Sequence, residues 1–253
     1  MAYAQTAIEQ FLSNGYAVFP EVLDSDLIQA ASDHVSWLLD KNPGLRPEQL
    51  HHGLVRDDPF WIRLVSDPRL LDIAAQFIGP NIALFASHYI CKMPFSGQPV
   101  LWHQDGSYWP LDPMEVVTLW LAVDDSTPEN GCMRVIPGTH TLDLKEHVSN
   151  NTVESVLNSE IPAENVDETL AVDLVLKKGG VSVHNPKIIH GSKANTSPHR
   201  RCGLTIRYIP TTTRVTNPEA GALFLLRGEA VPGINEYGTK PVFDPSRHFP
   251  FDV

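Results

Sequence analysis

At Gly79-Pro80 the hydrophobic rhythm of the chain changes, and that change restricts what it can fold into. Before it, apolar residues recur at the three-to-four spacing that lines one face of a helix. After it they alternate, as on one face of a strand. In the first part, Ile8, Phe11 and Leu12 mark a helix over 4–14 that Gly15 stops, and Tyr16-Ala17-Val18-Phe19 reads as a strand. Asp24 or Ser25 caps a second helix carrying Leu27, Ile28, Val35, Leu38 and Leu39, which Asn42-Pro43-Gly44 ends. A third helix has Asp67 as its cap, Pro68 in its first turn, and the stripe Leu70, Leu71, Ala74, Phe77 and Ile78.

Beyond Asn81 strands are expected over 82–93, 100–105, 115–123, 133–136, 170–176, 180–184 and 201–209. In the third of these, Val117, Leu119, Leu121 and Val123 offer an aliphatic face to the helices, while Thr118, Trp120 and Ala122 face a cavity. Residues 145–169 are polar and acidic and read as a mobile insert near a site mouth. The tail, with Pro218, Pro232, Pro241, Pro245 and Pro250, reads as extended and irregular, placed to cover the site or a neighbouring subunit. Helices followed by many short strands imply an α+β, mainly β chain built on an antiparallel β-sandwich or barrel. A chain of 253 residues suits a single domain, 1–253. Its barrel core is expected at 79–210 and its irregular tail at 211–253.

A formal net charge of -11 argues against nucleic acid and anionic membranes as partners. The three cysteines, Cys91, Cys132 and Cys202, are widely spaced and odd in number, which suggests reduced thiols in a cytoplasmic protein. The first residues carry no basic-then-apolar leader, no apolar run is long enough to span a bilayer, and Phe251-Asp252-Val253 is not a peroxisomal address.

Two stretches carry chemistry. Leu101-Trp102-His103-Gln104-Asp105-Gly106 sets His-x-Asp on an expected strand, so His103 and Asp105 share a face and Gln104 points away. With one more histidine, such a pair makes the 2-His-1-carboxylate set that holds Fe(II) and leaves positions open. His190, in Ile188-Ile189-His190-Gly191-Ser192, supplies it. On the last strand Arg201, Gly203, Thr205 and Arg207 share one face, and Cys202, Leu204, Ile206 and Tyr208 the other. The second face is apolar and belongs against the helices, so the first points into the barrel. A buried arginine needs a partner, and a ligand carboxylate suits its two-pronged donor set. Ser192 is placed to share that carboxylate. A 2-oxoacid that chelates iron and sends a distant carboxylate to Arg201 is 2-oxoglutarate.

Here the chain resembles the phytanoyl-CoA dioxygenase family of Fe(II)/2-oxoglutarate oxygenases, which includes ectoine hydroxylase. The likeness covers roughly residues 79–208 and rests on Gly79-Pro80-Asn81-Ile82, His103-Gln104-Asp105 and the segment Asp124 to Cys132. It continues through Pro137-Gly138-Thr139-His140 and His190-Gly191-Ser192, with Arg201 eleven residues beyond His190. The resemblance implies a double-stranded β-helix (a jelly-roll, cupin-like barrel) with supporting N-terminal helices. It implies His103, Asp105 and His190 as iron ligands and as the catalytic set. It gives Ser192 and Arg201 to the far carboxylate of 2-oxoglutarate, with Trp120 and Gln104 also at cosubstrate positions. His88 and His51 occupy two further cosubstrate positions, where the phytanoyl-CoA enzyme has Met and Lys.

The expected reaction is hydroxylation of an unactivated C–H bond in a small-molecule metabolite, using O2 and releasing succinate and CO2. Asp105 argues against halogenation. Desaturation or ring formation in a natural-product pathway would use the same residues. A different class, a non-oxidative metal-binding isomerase or ligand-binding protein, shares the barrel without needing Ser192 and Arg201 at this spacing. Tyr108, Trp109, Thr118 and Arg207 are candidates for the substrate pocket, with ordinary packing as the alternative. His140 and His184 read as structural, and His34, His147, His199 and His248 as surface residues. Arg134 reads as a loop support, Asp124 and Asp125 as turn residues, and Arg200 as lying on the apolar face. The oligomeric state is left open, a homodimer included.

Overall fold

In a computed structural model of the chain, residues 2–150, 152–217 and 223–251 are described. Five helices, α1 (Ala2–Asn14), α2 (Ser25–Lys41), α3 (His52–Val55), α4 (Pro59–Val65) and α5 (Pro68–Ile78), precede most of the strands. Only β1 (Tyr16–Phe19) lies among them. Then come β2 (Ile82–Lys92), β3 (Val100–His103), β4 (Leu111–Asp112), β5 (Val117–Ala122) and β6 (Met133–Val135). They are followed by β7 (Val148–Ser149), β8 (Ser159–Glu160), β9 (Val172–Leu174), β10 (Val181–His184) and β11 (His190–Ser192). The last are β12 (Arg201–Pro210), β13 (Arg214–Val215) and β14 (Phe224–Arg227).

Two antiparallel sheets form the double-stranded β-helix. The larger runs β1-β10-β5-β12-β2-β14 and the smaller β3-β11-β6-β9. The larger sheet therefore draws an edge strand from each side of the 79–210 stretch.

The helices cover the outer face of the larger sheet for the reason the alternation gives. Val117, Leu119 and Leu121 of β5 and Cys202, Leu204, Ile206 and Tyr208 of β12 are buried in one core with Ile28, Val35, Leu70 and Ile73. Each such aliphatic side chain contributes about 1.5–3 kcal/mol on full burial. Of the two caps open for α2 the structure uses Asp24, and α5 uses Asp67 as expected. Asp24 accepts from the Leu27 N–H at 3.0 Å, and Asp67 accepts from the Arg69 N–H at 3.0 Å. Helix α4, unmarked in the sequence reading, uses the same device, since Asp58 accepts from the Trp61 N–H at 2.9 Å and Pro59 follows it.

Several expectations need correction. The strand expected over 100–105 ends at His103, and Asp105 opens a turn of 3-10 helix to Tyr108. The Gly106 N–H donates to Pro186 O at 2.9 Å, which pulls the chain out of the sheet. Only 172–174 of the strand expected over 170–176 pairs in a sheet. The insert 145–169 holds the β7–β8 hairpin and is tied to the barrel where the Ile161 N–H donates to Trp102 O at 2.8 Å. The tail is less irregular than expected: β14 pairs with β2, and Phe249 is buried among the helices. Pro218 lies outside the described residues. His34 is not a surface residue: it is fully buried, 2.7 Å from Asp58 Oδ2 and 3.3 Å from the Tyr89 hydroxyl.

Candidate active site

His103 ends β3 and His190 opens β11, directly opposite in the ladder, so their rings lie 4.0 Å apart. The turn beginning at Asp105 brings its Oδ1 to 3.5 Å from His103 Nε2. Ligand atoms of His103, Asp105 and His190 all lie within 4.8 Å of one another, and all three residues are buried. His-x-Asp thus reaches one side of the centre through a strand-to-turn junction, where an uninterrupted strand had been expected.

The donor set fits a divalent metal. His103 Nδ1 donates to Leu101 O at 2.8 Å, and His190 Nδ1 donates to Ile188 O at 3.1 Å. A carbonyl only accepts, so the proton of each ring is on Nδ1 and the Nε2 lone pair is free for a metal. Burial, with His103 beside it, pulls the His190 pKa well below its ordinary value, which favours the neutral ligand form. Burial alone would raise the Asp105 pKa. Arg207, His103, His184 and His190 around it outweigh that and hold it well below the usual carboxylate range.

His184, expected to be structural, lies beside this centre. Its Nε2 is 3.7 Å from Asp105 Oδ2, its ring is 4.8 Å from that of His190, and neither nitrogen has a hydrogen-bond partner. His140 has the structural role: it accepts the close approach of Gly15, where a Cβ would lie 2.6 Å from the imidazole.

The centre opens into a cavity of about 620 Å³ whose walls include Phe85, Tyr108, Trp109, Trp120, Arg201 and Arg207. Arg201 is buried on the inward face of β12. Its Nε and Nη2 donate to Gly131 O at 3.0 and 2.6 Å, and its guanidinium lies 5.3 Å over the Trp120 ring. Gly203 permits this stacking, since a Cβ there would fall 2.0 Å from Trp120. Among the described residues Arg201 has no carboxylate partner, and burial pushes its pKa down to about 10. Arg200, on the other face, is committed to Asp124 at 2.8 and 2.9 Å. Asp125 holds Lys177 at 2.7 Å, so both aspartates serve turns. Arg134 pairs with Glu168 and Asp173, as a loop support.

Ser192 Oγ lies 3.4 Å from Arg201 Nη2 and accepts from Lys92 Nζ at 2.6 Å. Lys92 escaped the sequence reading. It is fully buried, also donates to Lys193 O, and is pulled well below its ordinary pKa, first by burial and then by Arg201. The alternation that puts His88 inside puts Lys92, four residues on, inside as well.

The remaining expected residues divide. His51 and His88 both line the cavity, with rings 5.8 Å apart. Tyr108 and Trp109 also line it, and the Tyr108 hydroxyl meets Ser159 Oγ of the insert at 2.6 Å. Thr118 is buried between His184 and Arg207 in the ladder and is not part of the cavity wall. Gln104 is turned away: its Nε2 donates to Lys187 O and its Oε1 accepts from the Lys145 N–H, each at 2.7 Å.

A double-stranded β-helix with a buried 2-His-1-carboxylate centre on the wall of its cavity defines the class of the non-haem iron-site barrels. Within it, this chain belongs to the phytanoyl-CoA dioxygenase (PhyH) family, which matches residues 11–203. It is 31% identical over 160 residues to phytanoyl-CoA dioxygenase 1 of Oryza sativa subsp. japonica, covering 63% of this chain and 56% of that protein. It is 30% identical over 213 residues to a probable alpha-ketoglutarate-dependent hypophosphite dioxygenase of Stutzerimonas stutzeri, covering 80% and 73%. Among solved structures it is similar to the apo form of the non-heme monooxygenase ThoJ. The TM-score is 0.79 at 25% identity, covering 92% of this chain and 87% of that one. The chain thus spans little more than half the length of the rice relative.

Proposed function

We propose that this chain is an Fe(II)- and 2-oxoglutarate-dependent dioxygenase that hydroxylates a small-molecule metabolite, with residues 1–253 acting as one domain. When bound, iron would let O2 act as the oxidant, with one oxygen atom ending in succinate as 2-oxoglutarate loses CO2 and the other in the product hydroxyl. His103, Asp105 and His190 hold the iron. Arg201 and Ser192 bind the far carboxylate, Lys92 orients the Ser192 hydroxyl, and Trp120 forms the wall beside the cosubstrate. The apolar walls exclude water from the centre. The observation that carries this reading is Arg201: a buried guanidinium with no carboxylate partner among the described residues, in the same cavity as the three metal ligands. A non-oxidative barrel does not need Ser192 and Arg201 at this spacing.

The test is anaerobic addition of Fe(II) and then 2-oxoglutarate to the purified protein. A weak visible charge-transfer band supports the oxygenase, and its absence favours a ligand-binding protein or isomerase. A cytoplasmic setting fits the free, buried Cys91, Cys132 and Cys202. No helix among the described residues is long and apolar enough to cross a membrane.

A further inference from the structure

Among the described residues no carboxylate comes within hydrogen-bonding distance of Arg207. It lies on the inward face of β12, and its guanidinium sits 5.2 Å over the Trp109 ring on the cavity wall. Nη1 donates to Thr205 Oγ1 at 3.1 Å and meets His88 Nδ1 at 3.4 Å. Because arginine only donates, His88 Nδ1 is the acceptor there and its proton is on Nε2. Nε is buried with no hydrogen-bond partner, and Nη2 comes only to 3.8 Å from Asp105 Oδ1. That is an ion-pair distance, beyond hydrogen bonding.

Asp105 does not account for this charge once the centre is loaded. A divalent ion neutralises Asp105 and one carboxylate of 2-oxoglutarate, and Arg201 neutralises the other. Glu48, also on the cavity wall, faces Arg46 at 3.8 Å and accepts from the Gln98 N–H at 3.2 Å. Lys92 is held by Ser192 and Lys193 and is not part of the cavity wall. Among the described residues of the cavity wall, one positive charge is left, Arg207, partly buried with its Nε shut off from water, beside the apolar walls of Phe85 and Trp109, whose rings are 6.0 Å apart. A partly buried cation left without an anion in a loaded enzyme is costly.

We propose that Arg207 anchors an anionic oxyacid group of the substrate, a carboxylate or its phosphorus or sulfur counterpart, against the Phe85–Trp109 wall. The inference rests on the dioxygenase reading and adds the substrate class. The 3.8 Å approach to Asp105 puts the anchor beside the metal centre, so the acid group lies only a few bonds from the reacting position.

The experiment uses the full chain loaded with Mn(II) as a paramagnetic stand-in and saturating 2-oxoglutarate, which occupies Arg201. Trifluoroacetate and its neutral match trifluoroacetamide are the probes, and fluorine relaxation by the metal is the readout. Trifluoroacetate is expected to be relaxed and trifluoroacetamide not. Arg207→Gln should weaken trifluoroacetate binding about tenfold to a hundredfold. Equal behaviour of the two probes on the wild-type protein overturns the proposal without any variant. So does relaxation of trifluoroacetate that persists in Arg207→Gln, which would assign the anion to the metal itself. The Fe(II) charge-transfer titration is run on the same proteins. No band in the wild type means the dioxygenase reading has failed. A band that needs much more 2-oxoglutarate in Arg207→Gln would give the guanidinium to the cosubstrate and overturn the substrate assignment.

Discussion

His103, Asp105 and His190 meet within 4.8 Å and no other described residue completes such a set, so each is expected to be indispensable. Replacing any one with Ala should abolish iron binding and turnover while melting stays cooperative. Wild-type iron affinity in one variant would remove that residue from the set. Arg201 gives a graded test. Arg201→Lys keeps the charge and loses the two-pronged geometry, so 2-oxoglutarate should bind about tenfold to a hundredfold more weakly. Iron affinity should hardly change. Arg200→Lys should spare 2-oxoglutarate, because Arg200 is bound to Asp124 on the opposite face. If Arg200→Lys is the damaging change, the inward register of β12 is wrong. The same register exposes what was and was not legible. Period-two alternation was enough to place Arg201, Gly203, Thr205 and Arg207 inside. Applied with equal care to β2 it would have found Lys92. His184 was harder: its approach to Asp105 depends on the turn at 105, which pairing between distant strands decides.

Elements were legible where a local signal starts or stops them. The cap of α5 at Asp67 was legible, and that of α2 was narrowed to Asp24 or Ser25, because cap and apolar stripe lie within one helix. Helix α4 carries the same signal at Asp58-Pro59 and was passed over for its short stripe. The β7–β8 hairpin and β14 were not legible, because such short strands are stabilised by partners far along the chain. The α2 cap gives a pH test. The Leu27 N–H, then Arg69, lower the Asp24 pKa from 3.8 to about 2. A depressed carboxylate stabilises the fold above its unfolded pKa, and the effect disappears as the pH falls through the folded value. Asp24→Ala should therefore cost about 1 kcal/mol at neutral pH. The gap to wild type in thermal melts should narrow towards pH 2, and Asp24→Asn should recover only part of the loss at neutral pH, because its amide oxygen can accept from the Leu27 N–H but cannot pair with Arg69. A gap that does not depend on pH would show that the charge does not matter. For the insert, amides of 145–158 should exchange faster than those of β2, β5 and β12, since few hydrogen bonds tie it to the barrel. Equal protection would mean that it folds as part of the barrel.

At the scale of the whole molecule, the chain separates stability from chemistry across the larger sheet. One face of β12 and β5 is sealed by the helices, and the other carries the cavity. The end of the tail belongs to the sealed side. The Phe249 ring lies 5.0 Å from Phe60, 5.2 Å from His34 and 6.1 Å from Trp37, so it clasps α2 to α4. It also packs against His34, which pairs with the buried Asp58 at 2.7 Å. Phe249→Ala removes that ring at a site where partial collapse is available, so the cost should fall at the low end for a buried aromatic, about 3 kcal/mol. For a chain of this size that lowers the melting temperature by roughly 6–12 °C. Phe249 is not part of the cavity wall, so the Fe(II)/2-oxoglutarate titration at low temperature should be unchanged. A variant that melts like the wild type would show that the tail does not clasp the helices. One that melts lower and also binds 2-oxoglutarate weakly would show that the helix layer and the cavity face are coupled through the sheet.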